Sequence, residues 1–289
     1  MAQPLTVPEP TPTEPASSEP LESIEVDLLL EGVSRRYGYD FRGFSRASLE
    51  RRILSRLRGE RLKTVSDLQA AVLHDSASLH RLMRDIAVPT TALFREPELF
   101  RSLRDEVIPW LRTWPSLRIW HAGCATGEEA YSMAILLDEE GLLARSRIHA
   151  TDVNPELLSV ARGGQVSLDE LASGEDAHRQ AGGRRPLRDH FVIAGRRASL
   201  RSELLERLTW NQHDLTADAS FNDFHLIICA NVLIYYTKPF QDRIHRLLYA
   251  SLLPFGFLGL GRQELISLSP HADCYLPFSP SGRLLKRVR

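Results

Sequence analysis

From residue 118 onward the chain alternates between apolar runs of strand length and amphipathic stretches of helical period. The candidate strands are residues 118–122, 147–151, 208–212, 224–229 and 256–260, and the helical stretches include 128–140, 155–162 and 239–252. A parallel return between strands needs a crossover, and an amphipathic helix supplies one. The pattern therefore predicts an α/β fold with an open, doubly wound, Rossmann-like sheet. Residues 163–207 interrupt the alternation with Gly, Arg and Ser clusters and a short alternating run near 190–193. They read as a small β-subdomain inserted between two sheet strands. The sheet domain is expected over 118–289.

The first part of the chain obeys a different pattern. Six of the 17 prolines fall within residues 1–20, which hold no aromatic residue. Such a segment buries too little apolar surface to offset its ordering entropy, so residues 1–22 read as a disordered acidic tail. Leu49, Ile53, Leu54 and Leu57 recur at helical spacing, and a second amphipathic stretch covers 65–86. Residues 23–88 therefore read as a small all-helical domain, joined by a linker and lead-in helix over 89–117. Charge is polarised here: residues 1–33 carry seven acids and no Lys or Arg, whereas 34–63 carry nine Arg and Lys63 against three acids. Arg51, Arg52 and Arg58 fall opposite the apolar stripe, as a solvated face or as a docking surface for an acidic partner.

Composition narrows the function classes. The net charge of −1 argues against wholesale nucleic-acid binding. No apolar run approaches the ~18 residues of a membrane span, and no leader pattern opens the chain. The three cysteines, Cys124, Cys229 and Cys274, are too scattered for a disulfide framework or a zinc cluster, and fit a reducing compartment.

Ligands of open α/β sheets bind at the carboxyl ends of the strands. The first strand runs into Gly123-Cys-Ala-Thr-Gly-Glu-Glu129, whose glycines allow a tight turn and close approach of a ligand. Glu128 and Glu129 disfavour a pyrophosphate at this helix start and suit a ligand with positive charge. Asp152 ends the second strand, where an acid can accept from both ribose hydroxyls of an adenosine; it is equally placed to cap the next helix. Asp214 and Leu215 follow the third strand, as partners for an adenine amine and ring or as turn residues. Asn231 ends the fourth, with Tyr235 over the same crevice. An adenosine, a cationic amino-acid end and no phosphate describe S-adenosylmethionine (SAM).

At this point the chain resembles the chemotaxis-receptor methyltransferases of the CheR family. The residues carrying the likeness are Gly38-Tyr-Asp-Phe-Arg-Gly-Phe-Ser-Arg46, Thr91-Ala-Leu-Phe-Arg-Glu-Pro97, Trp120-His-Ala-Gly-Cys-Ala-Thr-Gly-Glu-Glu129, Ala150-Thr-Asp-Val-Asn154, Asn231-Val-Leu-Ile-Tyr235 and Leu258-Gly-Leu-Gly-Arg-Gln-Glu264. The likeness runs from about Tyr37 to Arg289. It implies a SAM-methyltransferase sheet with an inserted antiparallel subdomain and a helical N-terminal domain. It implies a cytoplasmic, monomeric, metal-independent protein-glutamate O-methyltransferase that uses SAM, leaves S-adenosylhomocysteine (SAH) and acts on chemoreceptor helices. By motif position it implies Thr91 and Arg95 at the SAM or substrate carboxylate, Glu129 at the methionine part, and Asp152 at the ribose. Asp214 and Leu215 would lie at the adenine, Asn231 and Val232 at the amino-acid end, and Tyr235 beside the methyl group. The chain departs from the family pattern at Pro89, where Asn is frequent, at Ala230, where Arg is usual, and at Tyr236, where Phe is common.

A glutamate carboxylate is ionised near neutral pH and already nucleophilic, so methyl transfer from a sulfonium requires alignment more than acid–base chemistry. Arg95 offers a planar fork for two carboxylate oxygens, with a salt bridge to Glu96 as its plainer role. His121 and His149 read as structural. The competing functions are a SAM-dependent methyltransferase for a small molecule or nucleic acid, and a non-catalytic SAM or SAH sensor.

Overall fold

The computed structural model describes residues 19–289 apart from 38, 40, 42, 43 and 87–90. Most of the expected tail and Pro89 lie outside the described residues. Four helices come first: α1 (Leu21–Tyr37), α2 (Arg46–Gly59), α3 (Val65–His74) and α4 (Ser76–Ile86). Helix α1 starts at Leu21, inside the stretch read as tail, because Val26, Leu29 and Val33 form a fully buried stripe. That stripe meets Ile53 of α2, Leu68 and Val72 of α3, and Leu82 of α4. Thr64 and Asp67 form a reciprocal cap that starts α3.

The chain then enters α5 (Pro97–Ser102), a π-helical turn (Leu103–Val107) and α6 (Ile108–Leu111). The segment leading into α5 is pinned to the sheet domain where the Ser132 hydroxyl accepts from the N–H of buried Phe94 at 2.8 Å.

The sheet domain follows as β1 (Leu117–Ala122), α7 (Glu128–Glu139), β2 (Ser146–Asp152), α8 (Pro155–Arg162), β3 (Gln165–Ser167), α9 (Leu168–Gln180), β4 (Phe191–Ala194), β5 (Arg197–Leu200), α10 (Ser202–Leu205), β6 (Leu208–Gln212), β7 (Phe224–Cys229), α11 (Lys238–Ser251), β8 (Leu252–Leu260), β9 (Tyr275–Pro277) and β10 (Leu284–Arg287). The seven-stranded sheet has the order β6-β2-β1-β7-β8-β10-β9. Its first five members are mutually parallel, and the last two run antiparallel to their neighbours. All five expected apolar runs become strands. Strand β8 starts four residues early because Leu252 pairs with Phe224 ahead of an irregularity in register. The inserted segment forms an antiparallel sheet, β3-β5-β4, together with the helix α9 that its composition did not suggest.

Alternation in β1 divides the core in two. Leu117 and Ile119 face α7 and the π-turn helix, whereas Trp120 and Ala122 face α11. Strand order reverses between β1 and β7, and the crevice at their carboxyl ends is where such sheets take ligands.

Candidate functional site

Two adjoining cavities, of about 440 and 610 Å³, open at this reversal and share Gly123, Ala125, Asn231 and Tyr235 along their walls. The first is lined by Thr91, Arg95, His121 and Glu129, and the second by Asp152, Leu215, Val232 and Tyr236. Of the residues placed at the ligand by motif position, all but Asp214 line one cavity or both. Asp214 is half-buried, and one of its carboxylate oxygens accepts from both the N–H and the hydroxyl of Thr216, at 2.8 and 2.7 Å. It holds the turn that carries Leu215 and leaves lining to Leu215 and His213.

The glycine loop owes its shape to two contacts. Gly123 has φ +74°, and a Cβ there would lie 2.5 Å from a Val232 methyl carbon. Ala125 has φ +47°, and its N–H donates to Oδ2 of Asp152 at 2.9 Å. The other Asp152 oxygen accepts from Asn154 at 2.9 Å. Asp152 therefore ties the loop to the start of α8 while its carboxylate borders the second cavity. Burial pushes its carboxyl up, and the backbone donors pull it back.

Glu128 and Glu129 differ in role. Glu128 is buried and accepts from Thr126 at 2.7 Å. Glu129 lines the first cavity, where burial and the neighbouring Glu96 and Glu264 push its carboxyl up to about 8, against the pull of Arg95. A carboxyl raised in this way gains from a cationic ligand, which restores its charged form. Around it lie polar atoms that the protein leaves unmatched. Thr91 Oγ1, Asn231 Oδ1 and His121 Nε2 are buried without a hydrogen-bond partner among the described residues. Unmatched buried polar atoms are costly and rare, so three on one cavity mark a place for a polar ligand. His121 continues the inward row of Leu117 and Ile119, and burial lowers its imidazole to about 3, so it is neutral.

Glu264 and Glu96 carry roles that the sequence did not announce. Glu264 accepts from the N–H groups of Asn231, Val232, Leu233 and Gly261 at 2.7–3.0 Å, and so holds Asn231 at φ +60°. Glu96 pairs with Arg283 and accepts from the Asn231 amide at 3.0 Å. A buried acid just beyond a strand end was the available signal for Glu264, but only folding aims it at another loop.

The basic helix is also divided. Arg51 and Arg58 are exposed, but Arg52 turns inward, donates to the carbonyls of Asp85 and Ile86 at 3.1 Å, and lies 5.1 Å over the Tyr235 ring. The three arginines therefore do not form one outward face. Ser45 and Phe44 reinforce this junction: Ser45 N–H donates to Tyr235 at 2.7 Å, and the Phe44 ring lies 4.7 Å from that of Tyr236.

One cluster elsewhere has a metal-like composition: Glu139, His178 and His190. Its carboxylate already receives Arg104 at 2.7 Å and the N–H groups of Arg184 and Arg185 at 3.0 and 3.3 Å. The two imidazoles approach the same carboxylate at 3.2 and 3.4 Å. An anion so surrounded by donors joins α7 to the inserted subdomain and has little to offer a cation. Among the described residues, no helix is long and apolar enough to cross a membrane.

A family model described as the CheR methyltransferase SAM-binding domain matches residues 89–276. Another, described as the CheR methyltransferase all-alpha domain, matches residues 24–87. The chain is 43% identical over 271 residues to the putative methyltransferase Cher3 of Pseudomonas putida, covering 94% of this chain and 99% of that one. It is 28% identical over 236 residues to a chemotaxis protein methyltransferase of Listeria innocua, covering 81% and 87%. It is 27% identical over 240 residues to chemotaxis protein methyltransferase 1 of Pseudomonas aeruginosa, covering 79% and 84%.

Proposed function

The chain belongs to the CheR methyltransferase family, and from that premise we propose that it methylates glutamate carboxylates of a chemoreceptor, using SAM and forming methyl esters. The observation that carries the proposal is the mixed polarity of the first cavity. Arg95 and the Thr91 hydroxyl offer donors, Glu129 and Asn231 Oδ1 offer acceptors, and Thr91 Oγ1 and Asn231 Oδ1 are buried without partners among the described residues. That set fits a zwitterionic amino-acid end. Asp152 and Leu215, in the adjoining cavity, fit the ribose and the adenine ring.

When bound, SAM supplies an electrophilic methyl group on a sulfonium. The protein's own residues do the rest. Val232 and the tight Gly123 turn bring backbone against the ligand, and Tyr235 closes the wall between the two cavities. Arg95 orients the acceptor carboxylate by its planar fork, an alignment worth several kcal/mol when it is lost or kept as a unit. The acceptor is already an anion, so the reaction calls for neither a general base nor a Lewis acid. Relatives named chemotaxis protein methyltransferases support a chemoreceptor as acceptor. Arg51 and Arg58 are exposed for an acidic helix of that acceptor, where charge complementarity raises the association rate. Three unpaired cysteines suit the cytoplasm.

The test is methyl transfer from labelled SAM to receptor-enriched membranes. Label released by alkali as methanol supports the ester. Label that resists alkali, or that enters nucleic acid or a small molecule, overturns the glutamate assignment. Arg95→Ala is expected to lower single-turnover transfer by about 10²-fold, as for loss of a charged transition-state contact, with a smaller change in SAH affinity. An Arg95→Ala protein that transfers at the wild-type rate removes Arg95 from the acceptor site.

A further inference from the structure

Asn231 reaches the cleft with its side chain gripped from behind. Its Nδ2 donates to Oε1 of Glu96 at 3.0 Å. A carboxylate only accepts, so Glu96 compels the amide to turn its NH2 group backwards. The amide oxygen must then face away from Glu96. That oxygen is buried and has no hydrogen-bond partner among the described residues, on a side chain that lines the cavity with Glu129. Glu96 is itself anchored. Its Oε1 also accepts from the Arg262 N–H at 3.3 Å, and its Oε2 pairs with the guanidinium of Arg283. Arg283 is 8% exposed and is braced in turn by Glu98 at 2.9 Å.

We propose that Glu96 is a positioning residue that sets the polarity of Asn231, so that the cleft demands a hydrogen-bond donor there: the ammonium of the ligand's amino-acid end. The proposal rests on the reading of the cleft as a SAM site. With the amide reversed, Nδ2 would add a donor to a wall where Arg95 and Thr91 already donate, and would repel an ammonium. With Glu96 in place, Asn231 Oδ1 and Glu129 form a pair of acceptors. The chain thus distinguishes the amine of its cofactor through a carboxylate that does not line the cleft.

The test compares two ligands on the full chain by titration calorimetry: SAH, and its deaminated analogue in which hydrogen replaces the amine. Wild type is expected to prefer SAH by about tenfold or more, the scale of one charge-assisted hydrogen bond. In Glu96→Gln the one amide oxygen is held by the Arg283 guanidinium, so the NH2 faces Asn231 and reverses its amide; SAH is then expected to weaken by about that factor while the analogue changes by less than about twofold, so that the preference collapses. Adding Asn231→Asp to Glu96→Gln supplies an acceptor regardless of orientation, and is expected to restore the preference. Equal weakening of both ligands by Glu96→Gln would mean a merely structural role and overturn the proposal, as would an unchanged preference. If Glu96→Gln does not fold, Glu96→Asp, which shortens the reach to Asn231, is judged by the same two ligands. Failure of wild type to bind SAH at all would instead remove the SAM reading beneath it.

Discussion

An alanine Cβ at Gly123 would meet the Val232 side chain at 2.5 Å, and the backbone there has φ +74°, a region that side chains avoid. Steric overlap and backbone strain act together at this residue. Gly123→Ala is expected to cost about 1–3 kcal/mol of stability and at least tenfold in SAH affinity. Calorimetric melting and titration check both; wild-type values in both would mean that the turn can move out of the way. Glu129 gives the residue scale its pH dependence. Its carboxyl is raised to about 8 from an ordinary 4.5, so between these values the folded chain holds a proton that the unfolded chain has lost. Stability therefore falls as pH rises across that window. The melting temperature of the ligand-free wild type should drop, relative to Glu129→Gln, between pH 6 and pH 8. Parallel curves would show that Glu129 is already ionised at the lower pH.

Among the elements, α7 has two working ends. Its first turn supplies Glu129 to the cleft, and its last turn buries the side chain of Glu139 beside Arg104, His178 and His190. These partners come from the π-helical turn, from α9 and from the turn before β4, so one carboxylate gathers three separately folded pieces. Surrounding donors hold that carboxyl well below the usual carboxylate range despite its burial. Glu139→Ala leaves Arg104 paired with Glu140 alone and takes the shared carboxylate from two buried imidazoles, and should cost about 3 kcal/mol in denaturant unfolding. Backbone amides of β3–β5 and α9 should also exchange faster with deuterium. A change below about 1 kcal/mol, the scale of a surface pair, would show that Glu140, already 2.6 Å from Arg104, holds this junction by itself.

At the scale of the whole molecule, the helical domain is part of the cleft's surroundings. Phe44 and Ile86 line the second cavity, and Arg52 crosses from α2 to lie over Tyr235. Arg52 also caps the carboxyl end of α4 by donating to two of its last carbonyls. Removing the guanidinium loosens both attachments while leaving Asp152, Glu129 and Asn231 in place. Arg52→Ala is expected to lower methyl transfer by about tenfold or more and SAH affinity by less than about threefold, since a cation over an aromatic ring contributes roughly 1–2 kcal/mol when partly desolvated. Single-turnover rates beside SAH titration decide it. Equal losses in both would mean that Arg52 supports the ligand cavity itself and not the docking of the helical domain.

Strand and helix identity depended on short-range periodicity, and that is why the five parallel strands and the glycine loop were legible before folding. The sequence by itself also led to the strand-end residues Asp152, Leu215 and Asn231, which line the two cavities, because the carboxyl ends of such strands border a crevice whatever the details of packing. It could not determine the use of acids whose partners lie far along the chain. Glu96 meets Asn231 and Arg283, and Glu264 meets the backbone from 231 to 233, only when the strands are in register. Asp214 read equally as an adenine partner or a turn residue, and it is its Oδ1 that holds the turn, through the N–H and hydroxyl of Thr216. Arg52 looked like surface, because helical periodicity separates a polar face from an apolar one but does not say what that polar face will meet. Only the tertiary structure decided which of these charges face solvent, which hold a loop, and which are left for a ligand, since each outcome is set by through-space contacts and by burial.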